Sequence, residues 1–167
     1  QIPDHFIEIE VTETILFTGS QMGYISRILD GFHSCGLYVS LDDFGFGYSS
    51  LFLLRVLDID TIKLDRSFFV DENEKSRAIV TGIIQFAHQF KICVVAEGVE
   101  TREQFEQLRE IGCDYVQGYY FAKPMPCQEF EGLLDEYRGA GIEEPLTDTE
   151  IRNELPVLLV ADEDEDY

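Results

Sequence analysis

The sequence predicts an α/β fold in which parallel strands alternate with helices. Five short apolar stretches of the strand type occur along the chain, and an amphipathic helical pattern separates each stretch from the next. Repeated strand–helix units of this kind imply a parallel sheet. Polar side chains end each strand, and in parallel α/β proteins the functional site forms at the carboxyl ends of the strands. The pattern therefore predicts both the fold class and the edge of the sheet that carries a site.

The predicted elements follow one another in a regular order along the chain. Strands are predicted at residues 6–13, 37–41, 60–68, 92–100 and 115–124, and helices at residues 20–35, 48–57, 74–90, 101–111 and 128–137. Each helix carries apolar residues at helical spacing, so one face of it should pack on the sheet. Gly36 is expected to end the first helix, and Thr101 with Gln104 forms a capping box at the start of the fourth.

Composition excludes several classes of protein. Hydrophobic residues make up 45% of the chain, which indicates a globular protein. The net charge of −21 disfavours duplex DNA and anionic membrane surfaces as partners. No apolar run of about 18 residues and no signal peptide is present, so we expect no membrane contact by this segment. The four cysteines are widely spaced without a CxxC pattern. This disfavours zinc and favours free thiols in the cytoplasm.

Charge divides the chain into two parts. Residues 1–140 hold all five strand–helix units, and five units do not close an eight-stranded barrel, so we expect them to be part of a larger domain. Residues 141–167 form an acidic linker or tail, which from Glu143 onward has ten acids, one base and a net charge of −9. Residues 155–165 are either an apolar segment in that tail or the start of a receiver-like domain, and the pattern leaves both open.

Two adjacent carboxylates, Asp42 and Asp43, form the most informative local feature, because they follow a buried strand directly. Their mutual repulsion is costly unless something offsets it, and a pair of divalent metal ions would do so. The alternative is a strand–turn–helix connection whose acids face water. The recurrence of acids at other strand ends, such as Glu10 and Glu97, favours a shared site.

Five motifs carry a resemblance to a known family. They are EVTE at 10–13, DDFGFGYSS at 42–50, IKLDRSF at 62–68, VAEGVET at 95–101 and QGYYFAKPMP at 117–126. In order and spacing they resemble the EAL domain, the cyclic di-GMP phosphodiesterase domain of bacterial signalling proteins. The resemblance implies that residues 1–140 are the C-terminal part of an EAL domain, the last five βα units of a (β/α)8 TIM-like barrel. The segment with the Glu-Ala-Leu motif is missing, and Phe46 replaces the small or threonine residue usual in its loop.

The resemblance also implies a role for each motif residue. It implies two Mg²⁺ or Mn²⁺ ions per complete site, held by Glu10, Asp42, Asp43 and Glu97. It implies a catalytic role for Lys63, which would contact the attacking water, together with Glu97 and Asp43, and a substrate-binding or loop role for Glu13, Asp65, Glu100 and Gln117. Oxygen ligands suit these ions, and two ions about 3.5–4 Å apart can support in-line hydrolysis of a phosphodiester.

Structural alternatives stay open for several of these residues. Glu10 could be a solvated strand end, Lys63 could pair with Asp65, and Glu13 and Gln117 could be structural. At the level of function, the chain is either a fragment of a cyclic di-GMP-specific phosphodiesterase that produces linear pGpG, or a catalytically inactive EAL-like module that acts as a cyclic di-GMP receptor or protein-interaction domain. The retained acids and lysine favour the enzyme.

Two expectations follow from the missing segment. It would supply two further metal ligands, so we expect the 167-residue chain alone to be inactive. An incomplete barrel leaves a sheet edge and interior side chains open, so we expect a homodimer or higher self-association. Other signalling domains are expected in the same parent chain.

Overall fold

Strands and helices alternate throughout the computed structural model, which describes residues 7–12, 22–45, 50–71 and 73–139. The strands are β1 (Glu8–Thr12), β2 (Tyr38–Phe44), β3 (Thr61–Leu64), β4 (Cys93–Glu97) and β5 (Tyr115–Gln117). The helices are α1 (Met22–Ser34), α2 (Ser50–Val56), α3 (Glu74–Gln89), α4 (Arg102–Glu110) and α5 (Cys127–Gly139). Within these ranges no helix has the length and apolarity needed to cross a membrane. Glu13, Phe46 and the segment 155–165 lie outside the described residues.

The five strands form one parallel sheet whose order follows the chain, β1-β2-β3-β4-β5. Each pair is joined through a helix, as parallel pairing requires. The predicted parallel α/β fold with five strand–helix units is therefore confirmed. Because all five strands run in the same direction, their carboxyl ends lie along one edge of the sheet.

The core lies between one face of the sheet and the helices. Ile62 and Leu64 of β3 have no exposed surface, and they pack in one cluster with residues of the surrounding helices, such as Leu29, Leu53 and Ile84. Successive side chains on a strand point to opposite faces. Lys63, between the two core residues, therefore points to the other face of the sheet, which is where the polar side chains of the strands gather.

Helix ends match the local signals in the sequence. Gly36 has a φ of 76° two positions after the last residue of α1, which confirms its role in ending the helix. Asn73 caps α3 by accepting a hydrogen bond from the Ser76 amide. Thr101 and Gln104 form the predicted capping box at the start of α4. The capping box also fixes the chain that leaves β4, which carries candidate site residues.

Three predicted strands prove too long, and the one predicted at 92–100 ends at Glu97. The strand predicted at 60–68 ends at Leu64, because the Asp65 side chain accepts a hydrogen bond from the Ser67 amide and caps a 3-10 turn at Arg66–Phe68. Asp65 therefore lies outside β3, because its side chain bonds to the local backbone and the strand pairing does not continue. The strand predicted at 115–124 ends at Gln117, where a turn begins in which the Phe121 amide donates to the Gly118 carbonyl.

Candidate functional site

Lys63 lies at the centre of a cluster of three carboxylates from three other strands. Its Nζ atom is 2.6 Å from Glu10 Oε1, 2.8 Å from Glu97 Oε1 and 3.9 Å from Asp42 Oδ1. The lysine side chain is only 8% exposed, whereas that of Glu10 is 52% exposed. The structure thus brings together four residues that sequence reasoning placed in one site, although they are spread over 88 positions of the chain.

A β-bulge places the two adjacent aspartates. Leu41 pairs with Ile62 and Phe44 pairs with Leu64, so two residues of β2, Asp42 and Asp43, stand opposite the single residue Lys63 of β3. The bulge re-aims the backbone, as bulges at functional sites do. Asp43 adopts a left-handed φ of 54°, and its amide donates to Asp42 Oδ1 at 2.9 Å. Aspartate tolerates this conformation better than most residues do, and its occurrence here is a pointer to function.

The charges of the cluster are unbalanced. Three carboxylates surround one ammonium group, which leaves an excess of two negative charges when all are ionised. Burial by itself lowers the pKa of Lys63, but hydrogen bonds and attraction from Glu10 and Glu97 outweigh it, so the net pKa is raised. Burial raises the pKa of Glu97, Lys63 lowers it, and repulsion from Asp42 and Glu10 raises it again, so the net pKa is raised as well. The two shifts differ in their main cause: hydrogen bonds and attraction from Glu10 and Glu97 raise the pKa of Lys63, whereas burial is the largest contribution to the raised pKa of Glu97.

The remaining predicted residues lie around this cluster in different settings. Gln117 pairs with Glu97 in the sheet register, and its buried Oε1 has no hydrogen-bond partner in the part of the chain that the structure describes. Glu100 lies beyond β4, half exposed, and accepts a hydrogen bond from Arg66. Asp65 turns to its own backbone as the cap of the 3-10 turn. Gln117 Oε1 is therefore a buried acceptor without a partner among the described residues, whereas the Asp65 carboxylate is used in a structural contact.

The donor atoms fit a hard divalent cation. Carboxylate oxygens are the ligands that Mg²⁺ and Mn²⁺ prefer, and the excess negative charge would attract such an ion. No group of three or more His, Cys, Asp or Glu residues in the described ranges is arranged to hold a metal ion, and the Lys63 ammonium lies between the carboxylates. The chemistry of the site therefore fits a metal centre, while the conformation shown is that of an ion-paired lysine.

Sequence reasoning missed Arg66, which makes a 2.8 Å hydrogen bond from its Nη1 atom to Glu100 Oε1. The two residues are 34 positions apart, and only the neighbouring order of β3 and β4 brings them together. The arginine within the motif at 62–68 was the available signal, but its partner could not be deduced without the three-dimensional contact.

Comparisons with known proteins agree on one family. The chain matches the family model described as "EAL domain" over residues 1–124. It is 42% identical over 135 residues to the cyclic di-GMP phosphodiesterase NbdA of Pseudomonas aeruginosa, a match that covers 80% of this chain and 17% of NbdA. The chain thus spans less than a fifth of the length of this curated relative.

Solved structures show the same relationship. The EAL domain of Mycobacterium smegmatis DcpA superposes with a TM-score of 0.75 at 36% identity, covering 81% of this chain and 60% of that chain. The MucR phosphodiesterase of P. aeruginosa, solved in complex with cyclic di-GMP, has a TM-score of 0.66 at 35% identity, covering 74% of this chain and 50% of that chain. The described sheet therefore corresponds to a part of such a domain.

Proposed function

The chain belongs to the EAL domain family, and from this premise we propose that it is part of a cyclic di-GMP-specific phosphodiesterase in bacterial second-messenger signalling. The observation that carries the proposal is the convergence of Glu10, Asp42 and Glu97 on Lys63 at the carboxyl edge of the sheet. The name of NbdA and the ligand of the MucR structure supply the substrate class. The product would be linear pGpG.

Four acids of the chain are proposed as ligands of the metal ions, two per complete site. They are Glu10, Asp42, Asp43 and Glu97, and Mg²⁺ or Mn²⁺ matches their oxygen donors. When bound, such ions would polarise the scissile phosphodiester and the attacking water. For these acids to act as ligands, Lys63 must give up its place between Glu10 and Glu97. The excess of negative charge in the cluster favours this exchange.

The residues around the acids are assigned to binding and orientation. In the reaction a water oxygen bonds to phosphorus while the bond from phosphorus to a 3′-oxygen breaks, and that oxygen gains a proton. Lys63 would contact the attacking water and place a positive charge beside the phosphate. Gln117 would accept a hydrogen bond in the water or substrate network through its unpartnered Oε1. Glu100 would lie at the substrate side of the site, held by Arg66.

The test is hydrolysis by the full-length protein that contains this chain. Purified protein is incubated with cyclic di-GMP and Mg²⁺ or Mn²⁺, and pGpG is followed by chromatography. Asp42→Asn and Glu97→Gln should each lower kcat by about a hundredfold or more, because each removes charge from the metal centre. Glu103→Gln, an exposed acid on α4, is the matched control and should leave kcat unchanged.

Two results would contradict the proposal. If the Asp42→Asn variant kept the kcat of the parent protein, the assignment of these acids as metal ligands would be wrong. Binding of cyclic di-GMP without any turnover by the full-length protein would instead support a receptor module. The 167-residue chain by itself is expected to show little or no turnover, so its activity is not the deciding measurement.

A further inference from the structure

Three glycines lie directly after strands at the carboxyl edge, and each touches the chain that follows the neighbouring strand. Gly45 follows β2, Gly98 follows β4 and Gly118 follows β5. An added Cβ at Gly45 would overlap the Phe68 ring, which belongs to the turn after β3, with Cε2 at 2.8 Å. The other two glycines meet Arg66 after β3 and Val99 after β4. These three contact glycines therefore join the ends of β2 to β5 in one continuous series.

The contact at Gly98 involves an arginine that also binds a candidate site residue. A Cβ on Gly98 would lie 3.0 Å from Arg66 Cβ and 3.1 Å from its Cδ, so the stem of the arginine rests on the glycine. The guanidinium group of the same arginine donates to Glu100 at 2.8 Å. A methyl group at position 98 would push the arginine away from its place and shift Glu100 with it. Gly98 also follows Glu97 of the lysine cluster directly.

The contact at Gly118 is with backbone and therefore cannot yield easily. A Cβ there would overlap the nitrogen and carbonyl oxygen of Val99 and lie 2.8 Å from its carbonyl carbon. Two hydrogen bonds hold the same pair of segments together, from the Val99 amide to the Gln117 carbonyl at 3.0 Å and from the Tyr120 amide to the Val99 carbonyl at 2.9 Å. The segment after β5 is thus fixed flat against the segment after β4, beside the register pair Glu97 and Gln117.

We propose that Gly45, Gly98 and Gly118 are positioning residues, which set the distances among the carboxylates, Lys63 and Gln117 by allowing each strand-end segment to lie directly on its neighbour. None of the three has a side chain that could take part in chemistry. They therefore act on the site indirectly, by permitting the close contact between the segments that follow neighbouring strands. The expected change in kcat rests on the proposed function. The expected changes in Mn²⁺ affinity and amide exchange rest on the glycine contacts themselves.

A matched glycine separates the contact effect from backbone strain. Gly98 and Gly112 both have a left-handed φ, 70° and 83°, but an added Cβ at Gly112 meets no atom within 4 Å. Gly98→Ala and Gly112→Ala therefore carry similar backbone strain, and only the first disturbs a neighbour. Gly118→Ala is the stronger variant, because backbone must move. All three are made in the full-length protein.

Four measurements decide the proposal. They are the melting temperature, kcat and KM for cyclic di-GMP, Mn²⁺ affinity by calorimetry, and amide hydrogen exchange at Val99 and Tyr120. We expect Gly98→Ala to lower kcat about tenfold relative to Gly112→Ala at a similar melting temperature, since small displacements of catalytic groups are costly. Gly118→Ala should lower kcat further and speed exchange at both amides, while KM changes by less than about threefold.

Each alternative outcome has a meaning. Equal kcat and equal Mn²⁺ affinity for Gly98→Ala and Gly112→Ala would overturn the proposal, and this comparison stands even if Gly118→Ala fails to fold. If the parent protein hydrolyses no cyclic di-GMP, the proposed function fails. Mn²⁺ affinity then decides the inference: a loss of about fivefold or more in Gly98→Ala relative to Gly112→Ala supports it, and equal affinity contradicts it.

Discussion

At the scale of single residues, Lys63 is the group on which the electrostatics of the site depend. Its ammonium separates three carboxylates, so Lys63→Met would leave Glu10, Asp42 and Glu97 with uncompensated repulsion. We expect the free energy of unfolding in EDTA to fall by about 2 kcal/mol, less than for a fully buried pair because Glu10 is half exposed. Added Mg²⁺ should restore much of this loss, because a divalent ion takes over the neutralising role.

Thermal unfolding with EDTA and with Mg²⁺ measures this effect. Lys75→Met on α3 is the control, since Lys75 is an exposed lysine outside the Lys63 cluster, and the melting temperature of this variant should respond to Mg²⁺ as that of the parent protein does. An equal response to Mg²⁺ in Lys63→Met and Lys75→Met would show that the carboxylates do not form a cation site.

Cysteine reactivity gives a second prediction at the residue scale. Burial raises the pKa of the Cys113 thiol to about 12, with a further contribution from the charge of Asp114. At pH 8, roughly one molecule in ten thousand would carry the thiolate, which is the reactive form. We expect the exposed Cys35 and Cys127 to be alkylated by iodoacetamide in the native protein and Cys113 only after unfolding. Peptide mapping by mass spectrometry identifies the alkylated cysteines. Rapid labelling of Cys113 in the native protein would contradict the prediction.

Site residues differed in how far they could be predicted from sequence. Asp42, Lys63 and Glu97 could be placed together because each lies at or near the carboxyl end of a strand in a parallel sheet. The position of Asp65 could not be predicted from sequence. A local hydrogen bond from the Ser67 amide to its side chain competes with the hydrogen bonds between strands, and this competition decides whether Asp65 continues the strand or caps the turn. The contact glycines were missed for a different reason: their importance comes from a neighbouring segment far away in sequence, and nothing in the local pattern shows that neighbour.

At the scale of elements, two similar braces connect helix ends to strands at the amino edge of the sheet. In each brace an aspartate that lies just before a strand accepts hydrogen bonds from two groups: a histidine in the last turn of a helix and the amide of a valine in the strand that follows this helix. The two braces are His33–Asp60–Val39 and His88–Asp114–Val94. The imidazole–carboxylate distances are 2.9 and 2.7 Å, and the valine amides donate to the same carboxylate oxygens at 2.8 and 2.9 Å. In both braces the valine follows the histidine by six positions. The sheet is thus fastened at its amino edge by two equivalent devices.

The second brace leads to a prediction about the order of two losses in stability. Asp114→Ala removes the acceptor of both His88 and the Val94 amide, whereas His88→Ala removes only one donor. We expect the free energy of unfolding to fall by about 2 kcal/mol for Asp114→Ala and about 1 kcal/mol for His88→Ala, because an orphaned amide costs more than a lost partner. Urea denaturation measures both, with Gln89→Ala, exposed beside His88, as the control. Equal losses would mean that the Val94 amide finds another acceptor.

At the scale of the whole molecule, the order of the sheet could be predicted and its register could not. Alternation of strand and helix predicts a parallel sheet, and the sequential order of β1 to β5 is the order that the resemblance to a (β/α)8 barrel implies. The bulge between Leu41 and Phe44 depends on how two strands with different partners fit beside one another. This single irregularity sets both aspartates against Lys63, so the least predictable part of the sheet is the part that builds the site.

The open sheet leads to the last prediction, which concerns self-association of the 167-residue chain. In the described ranges β1 and β5 each pair with one strand only, and parallel edges present unpaired backbone groups. Apolar side chains are also exposed, among them Leu51 at 58% and Val70 at 51%.

We expect the isolated chain to form dimers or larger species whose average mass rises with concentration in multi-angle light scattering. Leu51→Lys should lower that mass if the surface of α2 takes part, whereas Lys75→Ala should not. A monodisperse monomer with a cooperative thermal transition would contradict the prediction, because it would show that this sheet is stable with both edges free.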